Sequence, residues 1–203
     1  MKPTKLQDLM VYVLNTLEHE VGSIELAKIL YLIDAEKISL FGKSVTDEEY
    51  TRQKKGPLAR NFQTAIDEMD GFEVKVFTVP TSGKTGIPKK SHSLGDNLRF
   101  ESKLDETDLI AANRVISRVK GLTPIQLEAL AYATEPMRVV LGKEEKVGHP
   151  IIGEVVDLGH VTSHPSIVRW RENMKKAEKI DPEYAEYLRV EREEIDSLLS
   201  SLG

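Results

Sequence analysis

The stretch from Ile24 to Phe41 constrains the fold more than any other part of the 203-residue chain. Its apolar residues fall on nearly every side of an α-helix, rather than along a single stripe. A helix that is apolar all round is usually buried, so the other elements must pack around this one. The sequence therefore predicts a mainly α (α+β) fold built on a central helix that ends at Gly42.

Further helices are predicted where apolar residues recur every three or four positions. One such stripe runs from about Lys5 to Glu18 at the start of the chain. Later helices are expected to begin after Asp105 and after Thr123, because both residue types cap helix N-termini. Thr123 is also followed by a proline, which is well placed in a first helical turn.

Two shorter helical segments are predicted between the central helix and position 70. Residues 46–49 have the form of a capping box, which predicts a short helical turn carrying Tyr50. Pro57 is suited to the first position of a helix that continues to Met69.

Strand signals are confined to the middle of the chain. Apolar and charged residues alternate from Phe72 to about Val79, which predicts a half-buried strand. A polar loop is expected over 80–96, and Leu98 and Phe100 suggest a second short strand. Together these segments predict a β-hairpin flap at about 72–102.

The last third of the chain is expected to be a helical C-terminal extension. We predict one helical domain over 1–141, hairpin included, followed by residues 142–203 packed on it or used to bind a partner. Glycines and prolines over 142–164 predict a loop with a short extended piece, and two amphipathic helices are expected after it. The apolar side chains of the final helix that could contact a partner are Tyr184, Leu188, Ile195 and Leu199.

Motifs for catalysis or metal binding are weak. The chain has no cysteine, which excludes disulfides, zinc–thiolate sites and cysteine nucleophiles. His160 and His164 have the spacing of a zinc site on a helix, but Gly159 and Pro165 flank them and disfavour that helix. Residues 81–86 contain Gly-Lys-Thr but lack the earlier glycine of a phosphate loop. We predict no catalytic residue, no metal and no cofactor.

Charge and hydropathy bear on partners and location. The longest apolar run, Ile29 to Ile33, is far shorter than the roughly 20 residues that cross a bilayer, so no membrane association is expected. A net charge of −5 argues against a nucleic-acid binder, although the basic stretch from Lys84 to Lys90 could contact nucleic acid or an acidic partner. The absence of cysteine is consistent with a cytoplasmic protein.

A single carboxylate, Asp34, lies on the largely apolar central helix. Burying it without a partner would be costly, so it must be hydrogen-bonded or paired. The candidate partners are Tyr31, Tyr50, Arg52, Lys54 and Lys55. Two interpretations remain compatible: a buried polar contact that fixes the helix to the Gly-Pro segment, or a recognition pocket at the same junction.

The same region carries a combination of short motifs. They are a Leu-Tyr-x-x-Asp helix segment, a Gly-x-x-Val-Thr turn and a later Gly-Pro step. The residues concerned are Leu30, Tyr31, Asp34, Gly42, Thr46, Tyr50, Gly56 and Pro57. This combination resembles the Panacea domain, which is found in SocA-like antitoxins and in phage-associated GepA-type proteins.

The resemblance implies a mainly helical, non-enzymatic antitoxin with a small β element. Members bind and neutralise a cognate toxin encoded beside them, and at least one hands its toxin to a cytosolic protease. We also consider a homodimer. Besides the final helix, the flap offers Phe77, Lys89 and Lys90 as contact residues. The alternatives from other classes are a nucleic-acid-binding regulator and an enzyme that uses Asp34 and Tyr31.

Overall fold

A computed structural model describes residues 4–17, 19–70, 73–79, 89–95 and 102–163, together with Pro165 and Val168. For residues 77–79 and 89 it describes the backbone alone. The strand expected at Leu98 and Phe100 and nearly all of the two closing helices lie outside these residues, so both remain predictions.

Six α-helices surround a small β component within the described residues. The helices are α1 (Lys5–Leu17), α2 (Ser23–Phe41), α3 (Phe62–Met69), α4 (Glu106–Val119), α5 (Pro124–Tyr132) and α6 (Glu135–Val147), with a short 3-10 turn at Leu158–His160. The strands are β1 (Val21–Gly22), β2 (Tyr50–Gln53), β3 (Gly56–Ala59), β4 (Val74–Val79) and β5 (Lys89–Leu94). One antiparallel sheet has the order β1-β5-β4, and β2 and β3 form a separate hairpin. The predicted mainly α, α+β fold is confirmed.

Helix α2 is the centre of the core, as its all-round apolar sequence predicts. Leu30, Tyr31 and Ile33 have no exposed surface, and Asp34 and Lys37 on the same helix are equally buried. Helices α1, α4 and α5 and strand β3 pack around it. Because a fully buried large apolar side chain contributes about 2 kcal/mol, this one helix supplies much of the driving force for folding.

The predicted starts of α4 and α5 and the predicted end of α2 are correct, and each has a local capping signal. Asp105 accepts a hydrogen bond from the amide of Asp108 at 2.9 Å, and the Asp108 carboxylate accepts one from the amide of Asp105. Thr123 and Gln126 form the same reciprocal pair at the start of α5. Gly42 ends α2 in the left-handed conformation (φ 75°).

Of the two short helical segments predicted between α2 and position 70, the first is wrong, and the second begins five residues later than predicted. Residues 46–49 form no helix, because the Thr46 amide donates to the Asp34 carboxylate rather than to Glu49, and Asp47 has a positive φ of 56°. Pro57 lies in β3, and α3 begins only at Phe62. A proline is tolerated there because its partner Arg52 bonds outward to residues 153 and 154, so this pair needs no N–H from Pro57.

The polar loop expected over 80–96 is wrong for its last part. Residues 89–94 form β5, which pairs with β4 on one side and with β1 on the other. The β4–β5 pair is therefore held by β1, the segment that leads into α2, and β5 also packs against α1. Its sequence hides the strand, because the inward position is taken by His92, a polar residue that is 1% exposed.

The loop expected from Gly142 onward begins later. Helix α6 continues through Gly142 and ends at Val147, where Gly148 adopts a left-handed φ of 77°. The division of the chain at 141 into domain and extension remains a prediction. No helix among the described residues is long and apolar enough to cross a membrane.

Candidate functional site

The Asp34 carboxylate is the centre of a junction between α2 and the loop that follows it. Oδ1 accepts hydrogen bonds from the Ser44 hydroxyl (2.8 Å) and from the amides of Val45 (2.7 Å) and Thr46 (3.1 Å). Oδ2 accepts from the Tyr50 hydroxyl at 2.7 Å and from the Thr46 hydroxyl. Asp34 itself has no exposed surface. Among the described residues its partners are therefore neutral donors, and water is excluded.

The other partners proposed for Asp34 from the sequence lie elsewhere. The Tyr31 hydroxyl bonds to Thr134 Oγ1 at 2.6 Å, and the Tyr31 ring meets the Tyr50 ring edge-on, with centroids 5.3 Å apart. Lys54 and Lys55 are exposed. Only Tyr50 of the expected set reaches the carboxylate, and the contact fixes α2 to β2 rather than to Pro57 directly.

The two tyrosines of this junction are hydrogen-bond donors at neutral pH. Burial raises the pKa of Tyr31 to about 12, an effect that the hydrogen bond with Thr134 reduces. Burial, followed by the negative charge of Asp34, raises the pKa of Tyr50 well above its ordinary value. Because neither phenol ionises near pH 7, the arrangement is suited to holding together α2, β2 and the turn between α5 and α6.

Arg52 connects the hairpin to α6. Its Nε lies 2.9 Å from Glu144 Oε1, and its guanidinium bonds the Tyr132 hydroxyl at 2.9 Å. Burial acts to raise the pKa of Glu144, but hydrogen bonds from Arg52 and from the Ile151 amide outweigh it and leave the pKa lowered. The segment after α6 is thereby placed against the outer edge of β2.

Gly56 has a conformation and a position that require glycine. Its φ is +118°, and a Cβ there would lie 3.3 Å from Lys28 Cε and 3.4 Å from the Tyr132 ring. The buried Lys28 ammonium in turn bonds Glu128 Oε2 at 2.9 Å. The φ of Gly56 is what most strongly favours glycine here, and the lack of a side chain also avoids tight contacts with α2 and α5.

A groove of about 400 Å³ opens beside this hairpin. Ile24 and Ala27 line it from the start of α2, Pro57 and Leu58 from β3, and Ile152 from the segment after α6. Most of its wall is apolar. Ile24 and Ile152 are each 47% exposed, which is unusual for large aliphatic side chains and marks them as available for contact.

The groove was not predicted from the sequence. Its residues come from three segments that are far apart in the chain, so no local motif describes it. Two signals were present: an apolar residue, Ile24, on the outward side of the first turn of a buried helix, and the basic pair Lys54–Lys55 next to Gly56-Pro57.

The partner-binding residues predicted from the sequence are mostly not placed. Phe77 and Lys89 lie in β4 and β5, but only their backbone is described, whereas Lys90 is described and exposed. The residues of the final helix, namely Tyr184, Leu188, Ile195 and Leu199, lie outside the described residues.

The histidine pair considered as a zinc site is only half described. His160 is exposed near Asp157, 3.7 Å away, and His164 lies outside the described residues. Within the part of the chain that the structure describes, no three metal-ligating side chains stand together.

Comparison with known proteins gives one match. The family model described as "Antitoxin SocA-like, Panacea domain" matches residues 26–136, which is more than half of the chain. No curated protein and no solved structure matches this chain. The matched range contains the Asp34 junction and the β2–β3 hairpin, and it ends before Glu144 and Ile152.

Proposed function

The chain belongs to the SocA-like, Panacea-domain antitoxin family, and from this membership we propose that it binds and neutralises a protein toxin. The match over residues 26–136 is the observation that carries the proposal, because it spans most of the central helix together with β3, α4 and α5, which pack on it. We place the activity in the cytoplasm, with the product of the adjacent gene as the toxin.

Direct, non-enzymatic binding is the mechanism that the geometry supports best. The carboxylate that an enzyme would use, Asp34, is buried and already accepts five hydrogen bonds. A group held in this way stabilises the fold and has no free position for a substrate. Affinity would come instead from exposed apolar side chains surrounded by a polar rim, as in other protein–protein interfaces.

The experiment is co-expression with the product of the adjacent gene. Induced alone, that product should arrest growth, and the chain should restore growth and co-purify with it. An unrelated protein of similar size and charge, expressed at the same level, is the control. If the adjacent product is harmless, or if the chain neither rescues growth nor binds it, the proposal is wrong.

The mode of neutralisation is read from the same strains. If binding alone inactivates the toxin, rescue persists in hosts that lack individual cytosolic proteases and toxin levels stay constant. If the chain is an adaptor, the toxin disappears when the chain is expressed, and rescue is lost in the host lacking the relevant protease.

A further inference from the structure

We propose that the groove between the start of α2 and the β2–β3 hairpin receives an apolar segment of the toxin that carries acidic side chains. The inference rests on the proposed function and goes beyond it by naming the contact surface and the chemistry of its partner. The groove lies at the hairpin that carries Gly56-Pro57, which packs against α2.

The apolar part of the argument is the wall of the groove. Its volume of about 400 Å³ lies in the range of clefts that bind ligands and peptide side chains. Ile24 and Ile152 expose apolar surface that a partner would remove from water, and Pro57 and Phe62 add rigid surface to the wall. A helix or loop that inserts aliphatic or aromatic anchors is the partner that such a surface fits.

The charged side chains at the rim of the groove indicate the charge of its partner. Lys54 and Lys55 form the hairpin turn, line the groove and are exposed. Among the described residues neither is paired with a carboxylate, whereas the nearby buried cations Lys28 and Arg52 are bonded to Glu128 and Glu144. In a chain of net charge −5, two unpaired lysines beside an apolar groove favour an acidic partner.

The N-terminus of α2 also contributes positive electrostatic potential to the groove. Ser23, the first residue of α2, lines the groove, and in the described structure no side chain caps this helix start. The positive end of the helix dipole favours carboxylates at this position, but Glu25 in the first turn already offsets part of it, so this contribution is secondary to that of the lysines.

The test measures the affinity of folded variants for the product of the adjacent gene. Lys54→Glu/Lys55→Glu reverses the rim, and Ile152→Asp places a charge in the wall, both at positions with exposed side chains. The matched controls are Lys120→Glu/Lys146→Glu, with the same change in net charge, and Ile125→Asp at an 81% exposed position outside the groove. Equal unfolding midpoints confirm that all four variants fold.

We expect each groove variant to raise the Kd by about tenfold or more and the controls to change it by less than about twofold. The loss of affinity of the Lys54→Glu/Lys55→Glu variant should be smaller at high salt, because it is partly electrostatic. Toxin mutants selected for renewed binding to Lys54→Glu/Lys55→Glu should carry Asp or Glu replaced by Lys or Arg.

Four results would overturn the inference. Groove variants that bind like the wild type would reject this surface while leaving the proposed function intact. Equal losses in the groove and control lysine variants would show unspecific charge attraction. A change in the oligomeric state of the chain alone, caused by the groove variants, would identify a second copy as the occupant. Failure of the wild type to bind or rescue rejects the proposed function, and this inference with it.

Discussion

Two polar side chains of helix α2 that lie three positions apart, Asp34 and Lys37, are buried and are satisfied in opposite ways. Asp34 is surrounded by hydroxyl and amide donors from the loop that follows the helix. Lys37 is held by charge: its ammonium lies 2.8 Å from Asp108 and 3.2 Å from Asp105, and 5.1 Å from the Phe41 ring centroid. Neither side chain has exposed surface.

The difference teaches where each region obtains its stability. The Asp34 junction is built from residues close in sequence, and it completes its hydrogen bonds without a counter-charge among the described residues. The Lys37 cluster joins α2 to α4, some 70 residues away, and includes Lys5 from α1. A buried ion pair adds little net stability, but removing one of its members is costly because the other charge is left without compensation.

The largest expected effect is at Asp34. Asp34→Ala leaves several buried donors without an acceptor, each worth about 1–3 kcal/mol, so we expect a loss of about 4–5 kcal/mol in the free energy of unfolding. Urea denaturation followed by circular dichroism measures it. Asp47→Asn, an exposed carboxylate on the same loop, is the control and should change stability by less than about 0.5 kcal/mol. Equal effects at both positions would contradict the account of the junction.

Disrupting the Lys37 cluster should lower the free energy of unfolding by a smaller amount. Lys37→Met keeps the apolar contact with Phe41 and removes the charge, and we expect a loss of about 3 kcal/mol because Lys5 still compensates Asp108. Denaturation of the single variants and of Lys37→Met/Asp108→Leu forms a double-mutant cycle. The double variant should recover part of the loss. A strictly additive result would show that the two charges are not coupled.

One donor of the Asp34 junction can be removed alone. Tyr50→Phe keeps the ring packed against Tyr31 and deletes one of the hydrogen bonds to the carboxylate, so we expect a loss of about 1.5 kcal/mol. Tyr12→Phe is the matched control, because its hydroxyl bonds Asn113 at 2.7 Å in a half-buried site and should matter less. The same denaturation assay ranks the two, and the reverse order would be evidence against a tightly held junction.

The smallest effect is the pH dependence of the Lys37 cluster. Burial acts to raise the pKa of Asp108, but hydrogen bonds from Lys37 and Lys5 outweigh it and lower the pKa. The folded state then binds fewer protons than the unfolded chain, so this contribution is present above the unfolded pKa of about 3.9 and is lost as the pH falls through the folded value. Stability should therefore fall more steeply between about pH 5 and pH 3 in the wild type than in Asp108→Asn. Parallel curves would exclude this coupling.

The contrast between these regions also explains what the sequence could reveal. Asp105 and Thr123 were assigned correctly as helix caps because a capping box lies within four residues. The box at Thr46 failed because Asp34, 12 residues earlier in the chain, accepts the hydrogen bond from the Thr46 amide that Glu49 would have accepted. Asp34 itself was predictable, since a lone carboxylate on an apolar helix requires a partner.

Features that depend on long-range packing escaped prediction. Strand β5 has a polar sequence, and its pairing with β1 depends on the start of α2. The ion pair of Arg52 with Glu144 and the position of Ile152 join segments about 90 residues apart or more. The groove that these residues help to form could not be derived from spacing alone, because its walls come from α2, β3 and the chain beyond α6.

The chain beyond α6 has a consequence for fragment design. The Arg52 amide donates to the Glu154 carbonyl at 2.7 Å, the Gly153 amide to Arg52 at 2.7 Å, and the Val156 amide to the Tyr50 carbonyl at 2.8 Å. A fragment ending at position 136 would lack these partners and would leave β2 with an open edge, which is a template for self-association through strand pairing. Recombinant fragments of this protein should therefore extend at least through Val156 to stay monodisperse.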